Sequence, residues 1–148
     1  MMEPRTQQKP NERIQNSRFK SQNEINKVKK YKKDLKDMSH SLALQAIDLI
    51  DSLPKNMSCQ VIGRQLLRSS MSVGANISEA RSSGSRKDFV NFLTYSLKSA
   101  NESIFCIGLL SDSGKVSHSS LQVFRAGFDE IARILAASII KLKQKDSD

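Results

Sequence analysis

Tryptophan is absent from this 148-residue chain, and prolines (three), glycines (six), cysteines (two) and histidines (two) are scarce. So few breaker residues argue against a turn-rich β fold, which needs Gly or Pro punctuation between many short strands. Two cysteines, Cys59 and Cys106, cannot form a disulfide framework, and a metal site would need more ligands at tighter spacing. Both lie within apolar helical patterns, where a free thiol behaves as a small buried hydrophobe. The few aromatics fall mostly in apolar seams, which speaks against base-stacking recognition of single strands. No apolar segment follows the N-terminal charges as a secretory signal would require, and no apolar run approaches the ~20 residues of a membrane span. These gaps predict a cytoplasmic protein that neither spans nor anchors to a membrane.

What is present is positive charge and helical periodicity. The formal net charge is +9, a balance that raises nucleic acid as a partner. The excess is uneven: residues 1–37 hold eleven Lys/Arg against five Asp/Glu, and residues 38–148 hold thirteen against ten. Residues 1–30 are polar, rich in Gln, Asn and Lys, and carry Pro4 and Pro10. They have too few apolar side chains to offset the entropy of ordering and read as a disordered basic arm.

From residue 31 to 145 the spacing predicts four helices. In the first, Tyr31 to Leu53, an apolar stripe of Leu35, Met38, Leu42, Ala46, Leu49 and Leu53 is widened by Leu44, Ile47 and Ile50 and stopped by Pro54. The second opens at Asn56 or Ser58, runs along Cys59, Ile62, Leu66, Ser70, Val73, Ile77 and Ala80, and closes at Gly84 in a left-handed turn. Small residues, Gly74 among them, crowd that seam and let a neighbouring helix come close. Ser85 to Asp88 opens the third helix as a capping-box-like signal. The fourth, from Ser117 or Ser119 to Lys143, repeats Leu121, Phe124, Phe128, Ile131, Leu135, Ser138 and Leu142 at alternating spacings of four and three. Short loops between four helices predict an all-α, antiparallel up-down-up-down bundle. The third and fourth helices carry apolar residues on more than one face, which predicts burial against other copies of the chain.

Catalytic chemistry finds no foothold. His40 and His118 lack a partner that would make either a general base. Gly108 to Lys115 fails as a phosphate loop, with five residues between its glycines, Val116 where Ser or Thr is required, and no preceding strand. Asn76 and Glu79, one turn apart beside Val73 and Ile77, read as a buried polar pair fixing helix register through partners on adjacent helices. No catalytic group, metal site or cofactor is expected. The candidate binding residues are Arg64 and Arg68 on the second helix with Arg81, Arg86 and Lys87 at the corner after it. Arginine forks match phosphate geometry, so these five form either a nucleic-acid footprint or a solvated set salt-bridged to Asp88 and Glu79.

The run from Arg64 to Arg68, then Ser72-Val73-Gly74-Ala75-Asn76-Ile77-Ser78-Glu79-Ala80, Ser85 to Phe89, and Phe92-Leu93 resembles a bacterial four-helix-bundle family. It is known from proteins encoded by intervening sequences inside 23S ribosomal RNA genes. That family's pattern reads like S-I-P-A-N-I-A-E-G, then a basic, Ser-containing corner and E-F-x-x-F-L; Ser99, Glu102 and Asp129 to Leu135 also fit it. Gly74 stands for the usual Pro and Ala80 for the usual Gly. The resemblance covers residues 31–145. It implies a closed homo-oligomeric barrel, typically a pentamer, with a positively charged surface. A related branch serves as the accessory protein of reverse transcriptases in diversity-generating retroelements. The resulting expectation is a non-enzymatic, oligomeric bundle that binds nucleic acid, structured RNA foremost, with a protein-interaction scaffold of the reverse-transcriptase-accessory kind as the alternative.

Overall fold

The computed structural model describes Gln22, Asn26 and residues 34–147. The expected disordered arm, residues 1–30, lies outside the described residues apart from Gln22 and Asn26, whose side chains are hydrogen-bonded to each other one turn apart. Residues 34–52 are helical and form α1, followed by α2 (Met57–Ser82), α3 (Arg86–Asp112) and α4 (His118–Lys145). All are α-helical, and no strand occurs among the described residues.

Local chemistry accounts for the boundaries. Pro54 sits two residues beyond α1, where its ring disfavours continuing the helix. Asn56 caps α2, its side-chain oxygen accepting from the Cys59 amide at 2.9 Å. Ser85 caps α3 by accepting from the Asp88 amide at 3.1 Å and donates its hydroxyl to the Asp88 carboxylate at 2.8 Å. The shorter Asp thus meets the capping hydroxyl. The left-handed turn expected at Gly84 is absent: α2 ends because Ser83 turns extended, with its hydroxyl on the Ala80 carbonyl at 2.7 Å. Gly114, after α3, is the described residue with positive φ, at 69°.

The four helices lie within one unit and share a single apolar core. Leu35, Leu42 and Ala46 of α1, Leu66, Val73 and Ile77 of α2, Leu93, Ala100, Ile107 and Leu110 of α3, and Leu121, Phe128, Ile131 and Leu135 of α4 are all buried in it. Close approach is achieved with small residues. A Cβ added at Gly74 would lie 3.3 Å from Ser39 Oγ, and one at Gly63 would lie 2.8 Å from Leu53 Cδ1. One at Gly127 would lie 2.6 Å from Leu42 Cδ2, so α1 also packs on α4. Between α2 and α3, Ser69 and Ser103 hydroxyls meet at 2.7 Å, and Ser96 Oγ donates to the Val73 carbonyl at 2.9 Å. These serine hydroxyls are buried and satisfied, so they hold two helices together without leaving an unpaired polar atom.

Three expectations about faces are corrected. Leu44 and Ile47 do not widen the buried stripe of α1 but are exposed. On α4 the seam leaves the alternating four-three spacing at its end, burying Ile139 and leaving Ser138 half-buried. A straight helix of 3.6 residues per turn drifts against a 3.5-residue repeat, and over three repeats the drift reaches a neighbouring position. Asn76 and Glu79 are not a buried pair: Glu79 is exposed, and Asn76, partly buried, donates to the Ser72 carbonyl of its own helix at 2.8 Å. Among the described residues neither side chain makes a hydrogen bond to an adjacent helix that would fix its register.

Candidate nucleic-acid interface

All five candidate side chains, Arg64, Arg68, Arg81, Arg86 and Lys87, are exposed. They do not form one patch. Thirteen residues separate Arg68 from Arg81, which is roughly 20 Å along α2 and about 140° around its axis. Arg64 and Arg68 stand together at mid-helix, while Arg81, Arg86 and Lys87 gather where α2 hands over to α3.

The corner group is joined by residues that sequence spacing did not associate with it. Arg86 reaches 56 positions along the chain: its guanidinium donates to the Leu142 carbonyl at 2.8 Å and pairs with the Asp146 carboxylate at 3.0 Å. The pairing expected for it, with Asp88 or Glu79, is not made; Asp88 is turned to its own cap at Ser85. Arg86 thus closes the carbonyl end of α4 and brings that end to the start of α3. Exposed Lys141, Lys143 and Lys145 come with it. In the sequence these lysines read only as complements to the helix dipole. No local pattern marks a contact made across 56 residues.

The end of the bundle therefore carries Arg81, Arg86 and Lys87 beside Lys141, Lys143 and Lys145, with Glu79, Asp88 and Asp146 among its acids. Two of those acids are engaged, Asp88 by Ser85 and Asp146 by Arg86. Arg81, Lys87 and the three lysines make no ion pair with a described residue. Flexible, exposed ammonium and guanidinium groups on two adjoining helix ends can reach phosphates spaced along a nucleic-acid backbone.

His118, the first residue of α4, lies with Nδ1 2.7 Å from Ser111 Oγ and joins the ends of α3 and α4. His40 is exposed. Cys59 and Cys106 are free and buried; burial, with the Glu102 charge adding to it, pushes the Cys106 thiol above its ordinary value. Among the described residues no three His, Cys, Asp or Glu side chains stand close enough to hold a metal ion. No helix among them is long and apolar enough to cross a membrane. A shallow groove of about 350 Å³ lies on the outer side of α3, with Ile104, Phe105, Gly108 and Leu109 along its floor and Arg125 of α4 at its edge.

Comparison with known proteins places this architecture. No curated protein matches the chain. Among solved structures, a protein of unknown function from the S23 ribosomal protein family of Bacteroides thetaiotaomicron is 32% identical, with a TM-score of 0.69; the match covers 74% of this chain and 97% of that one. The family model described as 23S rRNA-intervening sequence protein matches residues 31–137, which span all of α2 and α3, the described α1 and most of α4. The chain belongs to the 23S rRNA-intervening sequence protein family.

Proposed function

We propose that this protein is a non-enzymatic cytoplasmic nucleic-acid-binding bundle, up-down-up-down in topology and assembled as a homo-oligomeric barrel, with structured RNA as its ligand. The observation that carries the reading is the basic end at the α2–α3 corner. Arg81 and Lys87 stand there without an ion pair to any described residue, beside Lys141, Lys143 and Lys145, arranged by the Arg86 bond to α4. The family's description as a 23S rRNA-intervening sequence protein supports RNA over DNA. Phosphate contact would dominate, because the exposed rings on α3, Tyr95 with Lys98 over its face and Phe105 in the apolar groove, are not among the cations of this end. Contacts between consecutive helices support the topology: Ser39 faces Gly74 and Ile50 faces Gly63, as two helices of opposite sense would place them. Ser69 faces Ser103 and Val73 faces Ser96, and Arg86 faces Leu142 while Ser111 faces His118.

The test is a fluorescence-anisotropy titration of the full chain against a labelled RNA hairpin at low and physiological salt. A second protein lacks residues 1–30, and a third carries Gln at Arg81, Lys87, Lys141, Lys143 and Lys145. Intact protein binds at low salt and loses affinity steeply with added salt. The five-Gln protein binds more weakly, and its salt slope is shallower by about one unit for each phosphate it no longer neutralises. Absence of binding by the intact protein at low salt rejects the reading.

A second reading, a protein-interaction scaffold such as a reverse-transcriptase accessory, is favoured by the apolar groove on α3, where Phe105 is 64% exposed. Retention of a partner polypeptide that is abolished by Phe105→Ala, with no RNA binding at low salt, would select it.

A further inference from the structure

The outer faces of α1 and α2 both expose apolar side chains, and on each one sign of charge predominates. On α2, Met57, Val61, Arg64, Arg68, Met71 and Ala75 follow one another at alternating spacings of four and three, and all are exposed. Met57 is 83% exposed, Val61 59% and Met71 52%. At helical spacing these six lie on one stripe roughly 27 Å long. Over that length its only charges are the two arginines, and exposed Glu79 follows one turn beyond Ala75. On α1, Asp37, Leu44, Ile47, Asp48 and Asp51 are open to solvent and fall within one side of the helix. Its three aspartates outnumber Lys36, which is exposed at the edge of that side. Neither the two arginines nor the three aspartates form an ion pair with a described residue. The outer stripes of α3 and α4 set both signs together, with Lys98 and Glu102 on one and Glu130 and Arg133 on the other.

We infer that the acidic outer face of α1 in one copy docks on the Met/Arg stripe of α2 in the next, so that Arg64 and Arg68 serve self-assembly and not RNA. This rests on the proposed homo-oligomer and assigns its contact surfaces. The occupant follows from sign. A symmetric contact of α2 with α2 would set Arg64 and Arg68 of one copy against the same pair of another. A symmetric contact of α1 with α1 would do likewise with Asp48 and Asp51. Like charges brought together at an interface disfavour pairing. Pairing α1 with α2 matches opposite charges around Leu44 and Ile47 on one side and Val61 and Met71 on the other, and it covers the apolar side chains both leave open. Because the two faces differ, the contact is head-to-tail, and repetition yields a ring if the rotation closes or a filament if it does not.

Light scattering on full-length chains decides it, the protomer being 16.6 kDa. Arg64→Glu/Arg68→Glu puts acid on both faces, and Asp48→Arg/Asp51→Arg puts base on both. Each protein alone falls to the mass of one chain while its circular dichroism stays that of the wild type, since every altered residue is exposed. Mixing the two in equal amounts restores associated species, because the acidic faces of one now meet the basic faces of the other. A wild-type oligomer whose mass neither reversal alters, or reversed chains that stay monomeric on mixing, overturns this assignment and leaves the oligomer in place. A monomeric wild type overturns both.

Discussion

At the scale of single residues, the chain separates positions where a side chain is dictated from those where it is only tolerated. Gly114 and Gly84 make the contrast. Gly114 holds φ at 69° with open space around it, so its constraint is the backbone conformation itself. Gly114→Ala should therefore cost about 1–2 kcal/mol, the usual penalty of a Cβ in the left-handed region. Gly84 has ordinary φ and equally open space. Gly84→Ala should be neutral or stabilise by up to about 1 kcal/mol, by restricting the unfolded chain. Urea titration of both proteins checks the pair, and equal destabilisation would contradict the assigned turn. Composition alone favours a left-handed turn at either glycine; only the backbone path tells which one takes it. Ser96 illustrates the opposite situation. It is fully buried and bonds across to Val73, so Ser96→Ala should lose roughly 1 kcal/mol, as one net hydrogen bond does. Cys106 adds a pH dependence of known sign. Its thiol is raised above the ordinary 9.0 by burial, so the folded state holds that proton more tightly than the unfolded one. Stability from this group is complete below 9.0 and falls as pH rises through the folded value. Chemical denaturation at rising alkaline pH should show that fall, and Cys106→Ala should reduce it.

At the scale of helices, the legible part of this fold is what repeats along the chain, and the illegible part is what meets across it. The stripes Leu66-Val73-Ile77 and Leu121-Phe124-Phe128-Ile131-Leu135 are buried as their spacing predicts, because a helix turns any such spacing into one face. Leu44 and Ile47 resemble the same signal, yet hydropathy cannot tell a face covered by the bundle from one left outside it. The charged corner is legible as a cluster at Arg81, Arg86 and Lys87. Its extension onto Lys141, Lys143 and Lys145 is not, since it depends on Arg86 meeting the last turn of α4. That meeting carries a prediction of its own. Arg86→Met keeps much of the side-chain stem but removes the pair with Asp146 and the bond to Leu142. Both partners of the ion pair are about half exposed, so solvent screening holds the global loss to about 1 kcal/mol or less. The effect should instead be local: faster amide exchange over the final turn of α4, with the core of α4 around Phe128 and Ile131 unchanged. Uniform loss of protection along α4 would show that Arg86 supports the bundle as a whole.

At the scale of the whole molecule, the two arginine groups would divide two tasks, and the division can be measured. The corner cations belong to one end of each protomer, whereas Arg64 and Arg68 lie roughly 20 Å away along α2 on a different side of it. If assembly sets several basic ends on one particle, a structured RNA can engage more than one of them, and the second engagement is made at the high effective concentration set by the assembly. Arg64→Glu/Arg68→Glu should then weaken RNA binding well beyond the loss of two surface charges. The reciprocal Asp48→Arg/Asp51→Arg protein should also bind more weakly per chain, although its net charge is more positive than the parent's. A purely electrostatic surface predicts the opposite order for that second protein, because added base strengthens attraction to phosphate. Anisotropy titrations of both reversals at equal salt, set beside the mass of each protein in the same buffer, distinguish the cases. Tighter binding by a monomeric Asp48→Arg/Asp51→Arg protein would mean that net charge, and not the number of basic ends held together, governs the affinity.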